Sequence, residues 1–332
     1  MKRGWLHGFA AGLTALTLSG CSDREGSEHA ALALAEAIHP GQFKLHDSYL
    51  QTGGYYEVAL VSRTDPLLRV RFVIDREAGE CQLGSRCEER YRRAHAAAVS
   101  TAIKMKALNA AFVSCGVPML GLHDPAKAPA FRTIVELDLD PADQQPALNR
   151  LAPCIAAYRA ALPADSPADL RVLSLRILRP QGSPAPVQPM TLDSRLPGKR
   201  DDQPSYMIAM LPDEPRAMAE KLRLYANYVR GSGLSDKLAE TAQRVLAADP
   251  QGGHVPNHAL NWQLKLDPQR LDVIRTYVLA CSAHVPGQGP CKTDVAVRIR
   301  YDLARDEASE VAVIRNFRDD RGSPVLPPLP GR

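Results

Sequence analysis

Apolar and polar side chains alternate along residues 67–74, where Leu68, Val70, Phe72 and Ile74 fall on one side and Arg69 and Arg71 on the other. A period of two sends successive side chains to opposite faces of a strand, so this stretch predicts a half-buried strand. Residues 55–61 show the same period, and Arg63-Thr64-Asp65-Pro66 joins the two runs, which predicts a hairpin. Over residues 88–112 the period becomes helical: Tyr91, Ala94, Ala98, Ala102, Met105 and Phe112 form one stripe, closed by Gly116 and Pro118. A short helix over 29–38, stopped by Pro40, precedes them. A strand over 131–139, a helix over 147–162 interrupted near Pro153, and a strand over 170–178 follow. The order of elements implies helices packed on a mostly antiparallel or mixed sheet.

Further along, residues 205–211 read as a strand and 214–229 and 235–247 as helices, the latter N-capped by Ser235 after Gly231-Ser232-Gly233. Strands over 260–266, 271–283, 293–303 and 310–317 follow with short connections, which predicts a meander. Between these halves, residues 179–204 carry six prolines and no sustained period, the pattern of an extended linker. The expected class is therefore α+β in two domains, 29–178 and 205–320, each a mostly antiparallel sheet with helices packed on it. They are joined by the proline-rich linker and followed by a frayed proline-rich tail over 321–332. The halves also share a plan in which a strand, an Asp-Pro turn and a second strand lead to a cysteine pair, the trace that an internal duplication would leave.

The amino-terminal residues have a different pattern. Lys2 and Arg3 precede a run over 4–18 that is apolar or small apart from His7, shorter than the roughly 20 residues of a spanning helix. It ends in Leu18-Ser19-Gly20-Cys21, which resembles the lipobox of bacterial lipoproteins. The resemblance covers residues 1–21 only. It implies that the Cys21 thiol receives a diacylglyceryl group, that residues 1–20 are removed, and that the new amino terminus is acylated, commonly with palmitate. Residues 21–28 then form a lipidated tether. Two or three acyl chains make a stable anchor where one would hold only marginally. Ser22 stands where the enterobacterial sorting rule has Asp for inner-membrane retention, so the resemblance favours the outer membrane, with the protein facing the periplasm.

Charge narrows the partners. The chain has 41 basic and 37 acidic residues, and the leader holds two of the basic ones, so the mature chain stands near neutrality. No basic tract with interleaved aromatics suggests a nucleic-acid partner. The expected partners are the lipid membrane, through Cys21, and another envelope or periplasmic protein.

Six cysteines remain after Cys21, an even number that reads as disulfides in an oxidising compartment. Cys281 and Cys291 flank a turn-rich stretch and are equidistant from Pro286, which places them opposite each other on a hairpin. Cys81 and Cys87 enclose a small loop containing Gly84. Cys115 and Cys154 pair by elimination.

Candidate chemistry is sparse. No nucleophile elbow, P-loop, zincin motif or dinucleotide fingerprint occurs, and no set of residues is assigned a catalytic role. His254 and His258 are weak metal candidates, since Pro256 between them argues for a loop, and no metal or other cofactor is expected. The sequence thus points to an envelope lipoprotein that binds a protein or supports an assembly and leans away from catalysis. A narrower form of that reading is an immunity or inhibitor protein acting against a periplasmic toxin. The alternative is a periplasmic hydrolase or small-ligand-binding lipoprotein with a pocket between its domains.

Overall fold

The computed structural model describes residues 19–74, 81–123, 131–194, 204–209, 215–256, 261–282, 291 and 293–330; the leader to residue 18 and His258 lie outside them. The chain is α+β and forms two compact units, one of Met1–Lys106 with Lys127–Pro129, the other of Ala107–Ala126 with Ala130–Arg332.

The first unit holds α1 (Ser19–Ile38), the antiparallel strands β1 (Phe43–Leu50), β2 (Tyr56–Ser62) and β3 (Arg69–Ile74), and most of α2 (Arg86–Cys115). The predicted hairpin is β2 and β3, with Val58 opposite Phe72 and Leu60 opposite Val70. Those side chains meet Ala31, Leu34 and Ala35 of α1 and Tyr91 and Ala98 of α2 in one core. Helix α1 begins ten residues before the predicted 29–38. Its earlier turns are seated on β1: Glu28 accepts hydrogen bonds from Ser48 Oγ and, at 2.9 Å, from Arg24 Nε, and Ser27 is buried.

At the end of α1 His39 stacks on His95 of α2, with ring centroids 4.3 Å apart and planes at 21°, and Phe43 meets the His95 ring edge-on. Burial, with the neighbouring His39 adding to it, lowers the His95 pKa from 6.5. The folded protein then binds fewer protons than the unfolded chain below pH 6.5. This contribution to stability is complete above that pH and is lost as pH falls from it toward the folded-state pKa. Urea unfolding at pH 7.5 and pH 5 is expected to show His95→Gln losing less stability on acidification than the native chain. An unchanged slope would contradict the assignment.

The second unit holds two sheets. The first has the order β4-β5-β6-β7-β8: β4 (Met119–His123), β5 (Arg132–Glu136), β6 (Leu175–Leu178), β7 (Ser205–Ile208) and β8 (Arg223–Leu224). Strands β5 and β6 are parallel and are connected through α3 (Gln145–Ala161) and α4 (Ala168–Arg171), as a parallel pair requires a long crossover. Helix α3 continues through Pro153 instead of breaking there, and α4 occupies the start of the predicted strand over 170–178. The predicted helix over 214–229 is two helices, α5 (Pro215–Lys221) and α6 (Ala226–Gly231), separated by β8, which pairs with β7.

The division between units corrects the expected boundary. Strands β6 and β7 lie on either side of the proline-rich segment yet are antiparallel neighbours in one sheet, Leu178 opposite Ser205. The described part of that segment is anchored as well: Asn109 exchanges hydrogen bonds with the Met190 backbone at 2.8 and 2.9 Å, and Met190 and Leu192 are buried. Residues 179–194 are therefore packed on the unit that holds this sheet. Residues 195–203 of the segment lie outside the described set.

The second sheet is the predicted meander, in the order β12-β11-β10-β9: β9 (Asn261–Leu266), β10 (Val273–Ala280), β11 (Val295–Asp302) and β12 (Glu307–Arg315), all antiparallel. Helix α7 (Leu234–Ala248) packs on it with Leu234, Leu238, Ala242 and Leu246 buried at four-residue spacing. Gly233, at φ +68°, is the N-cap of α7 in place of the predicted Ser235, because the chain enters through a left-handed conformation that glycine adopts freely. The Asp-Pro turns between β2 and β3 and between β9 and β10 share their chemistry. Asp65 Oδ1 accepts from Leu67 N at 3.1 Å, and Asp267 Oδ1 from Gln269 N at 2.9 Å. Beyond those turns the two halves continue differently, one into α2 and the other into a meander.

Three disulfides close the loops expected for them: Cys81–Cys87, Cys115–Cys154 and Cys281–Cys291, with Cα atoms 4.9, 5.4 and 6.2 Å apart. The third is not a register-opposed pair. Ala280 stands opposite Val295, and Ser282 N donates to Asp294 Oδ1 at 2.7 Å, so Cys291 lies beyond the ladder in the connecting loop.

Candidate functional site

One face of the meander is built from alternate residues of β10 and the residues opposite them. The register sets Arg275 beside Arg300, Tyr277 beside Arg298 and Leu279 beside Ala296, and on β12 it continues to Glu310, Ala312 and Ile314. The face therefore changes across three rows from charged, through mixed, to apolar. Like charges directly opposite each other in a ladder repel. The Arg275–Arg300 pair is held by the carboxylate of Asp267, which retains 2 % of its side-chain surface and lies 2.8 Å from Arg275 Nε and Nη2. Arg300 Nε is 3.5 Å from the same carboxylate, is itself buried, and has no hydrogen-bond partner among the described residues. Burial alone would raise the Asp267 pKa, but the Gln269 amide, the Arg275 hydrogen bond and the two guanidinium charges together hold it below the usual carboxylate value.

The apolar row is roofed by the carboxyl-terminal segment, which departs from the predicted frayed tail. Val325 N donates to Phe317 O at 2.5 Å and Tyr277 Oη to Pro327 O at 2.7 Å. Leu326 and Leu329 then pack with Tyr277, Leu279, Ala296 and Phe317. The segment covers the face only in part. Between Pro328-Leu329-Pro330 on one side and Arg275, Arg298 and Arg300 on the other lies a cleft of about 130 Å³. Glu310 stands at its rim, mostly exposed, 3.8 Å from Arg300 Nε. Arg298 is exposed and makes no hydrogen bond or ion pair among the described residues.

The chemistry of this cleft follows from its side chains. A guanidinium keeps its proton at any physiological pH and offers a planar set of donors that matches a carboxylate or phosphate. Such a floor can hold an anion but cannot relay protons as paired carboxylates or imidazoles do.

A second polar group is buried in the five-stranded sheet. Arg176, 2 % exposed, donates to Ser205 Oγ at 3.1 Å and lies 4.3 Å over the Tyr225 ring, and Tyr225 Oη is 3.3 Å from His123 Nε2. Glu136, also buried, accepts from Ala185 N at 3.3 Å and so pins the proline-rich segment to the sheet. These contacts are internal to the fold.

Of the residues singled out in the sequence, His254 is engaged through its backbone, which exchanges hydrogen bonds with Cys281 at 2.8 and 2.9 Å. No cluster of three His, Cys, Asp or Glu residues placed to hold a metal occurs among the described residues. Position 21 falls in the first turn of α1, and none of the described helices is long and apolar enough to cross a membrane. The cleft was not singled out in the sequence. Its traces there are Arg275-x-Tyr277, Arg298-x-Arg300 and the apolar Val325, Leu326 and Leu329 of the tail. No protein-family profile, curated protein or solved structure matches the chain.

Proposed function

We propose that the protein is a lipid-anchored lipoprotein of the bacterial envelope that acts by binding another protein and not by catalysis. The guanidinium floor of the meander cleft carries this reading, because it gathers groups that hold an anion and cannot exchange protons. The lipobox-like run ending at Cys21 supports the anchor, and three disulfides suit an oxidising compartment. The outer membrane is the favoured site because Ser22 replaces the retention signal. An inhibitor or immunity protein directed at a periplasmic toxin is a specific form of this function.

Two measurements on one strain test it. Mass spectrometry of the purified protein is expected to give a mature amino-terminal peptide that begins at a lipid-modified Cys21, and Cys21→Ala should leave the membrane fraction or accumulate unprocessed. A photo-crosslinking side chain at position 312, opposite Arg298 in the ladder and leaving that guanidinium in place, is expected to give a discrete protein adduct that the same group at exposed Val172 does not. An unmodified leader on the mature protein would overturn the anchor. Equal labelling at 312 and 172, or none, would overturn the binding reading.

A further inference from the structure

We infer that the meander cleft receives the carboxyl-terminal residue of a polypeptide partner, with the terminal carboxylate on Arg298 and Arg300 and its apolar side chain against Leu329 and the flanking prolines. The inference deepens the binding reading and rests on it.

Size, charge and gradient lead to this ligand. A cleft of about 130 Å³ is well below the roughly 300–1,000 Å³ of pockets that enclose a drug-sized ligand, so it suits one residue presented from outside. Of its three guanidinium groups, Arg275 is already committed to Asp267 through both Nε and Nη2. Arg300 Nη1 is held on Ser309 Oγ at 3.0 Å and its Nε is buried, which leaves Nη2, and Arg298 makes no hydrogen bond or ion pair among the described residues. Two guanidinium groups with open donors match a single carboxylate. A dianion would meet repulsion from Asp267 and Glu310.

The gradient across the cleft supplies the second half of the ligand. Its arginine floor faces Pro328, Leu329 and Pro330, while the apolar row of the sheet is already covered by Leu326 and Leu329. A group that is anionic at one end and apolar within a residue's length meets both, and a carboxyl-terminal leucine or valine has that form. Glu310, at the rim and 3.8 Å from Arg300 Nε, competes with an incoming carboxylate for the charge of the same guanidinium.

Calorimetric titration of the intact mature protein with acetyl-Ala-Ala-Leu as the free acid, and with the same peptide as its carboxamide, tests the assignment. The acid is expected to bind at least tenfold tighter than the amide. Arg298→Ala, a change at an exposed side chain, should weaken the acid at least tenfold, and Glu310→Gln should strengthen it severalfold. Inorganic phosphate in the same cell should bind more weakly than the acid. Equal affinity for acid and amide, no saturable binding, an unaffected Arg298→Ala or tighter binding of phosphate would each overturn the inference. A discrete crosslink at position 312 alongside any of those results would retain the partner and remove only the carboxylate. Failure of both would remove the binding reading too.

Discussion

Replacing Cys115 and Cys154 together by Ala is expected to cost about 4 kcal/mol of unfolding free energy, and the same change at Cys81 and Cys87 about 2 kcal/mol. The difference comes from the unfolded chain. Cys115 and Cys154 are 39 residues apart and Cys81 and Cys87 only six, so the first bond removes far more conformational freedom from the unfolded ensemble. The native state adds to the longer bond's effect. It ties the last turn of α2 to the middle of α3, and Cys154 is fully buried beside Pro153, where the helix already lacks one backbone donor. Urea unfolding of both double variants checks the ordering. A larger loss from the six-residue loop would show that local strain, and not chain entropy, decides these stabilities.

Pairing was legible in the sequence where it depended on chain proximity. Two of the disulfides close short loops, and the third follows once they are assigned. Strand β3 was legible because its arginines and apolar residues alternate cleanly, and so was the meander. Strand β1 was not, because an edge strand reading Phe-Lys-Leu-His-Asp-Ser-Tyr-Leu buries only Phe43 and Tyr49's neighbour Ser48, with a register shift between Leu45 and Asp47. The packing of the described part of the proline-rich segment was illegible for a related reason. Prolines mark the absence of regular structure, but Asn109, some 80 residues earlier, is what fixes Met190 in place, and no local pattern records that.

The cleft was illegible for the same non-local reason. Arg275, Arg298 and Arg300 alternate with apolar residues, which reads as the solvated side of a sheet, and Arg71 on β3 does behave that way, pairing with Glu57 at 3.2 Å on a partly exposed face. What turns one such face into a cleft is the return of residues 325–330 across it. The signal available in the sequence was the spacing of Val325, Leu326 and Leu329 among prolines, too apolar for a tail that only frays.

Asp267→Asn is expected to cost about 3 kcal/mol and to abolish the binding of anions in the cleft while leaving the disulfides intact. Removing one partner of a buried ion pair leaves the other uncompensated, at roughly 3–5 kcal/mol, and the lower end applies because Arg275 and Arg300 keep 27 % and 25 % of their side-chain surface. An Asn side chain can still accept from Gln269 N, so the turn between β9 and β10 is preserved and the loss isolates the charge. The directly opposed guanidinium groups of Arg275 and Arg300 then repel across the ladder, and the floor of the cleft opens. The pH dependence has a fixed sign. The Asp267 pKa is lowered in the fold, so its contribution is complete above its ordinary value of 3.8 and is lost as pH falls through the folded-state value. The native chain should therefore lose stability on acidification below pH 3.8 more steeply than Asp267→Asn, until the two curves converge. Parallel curves would mean that folding does not lower the Asp267 pKa, and the Arg275–Arg300 pair would then need another source of compensation.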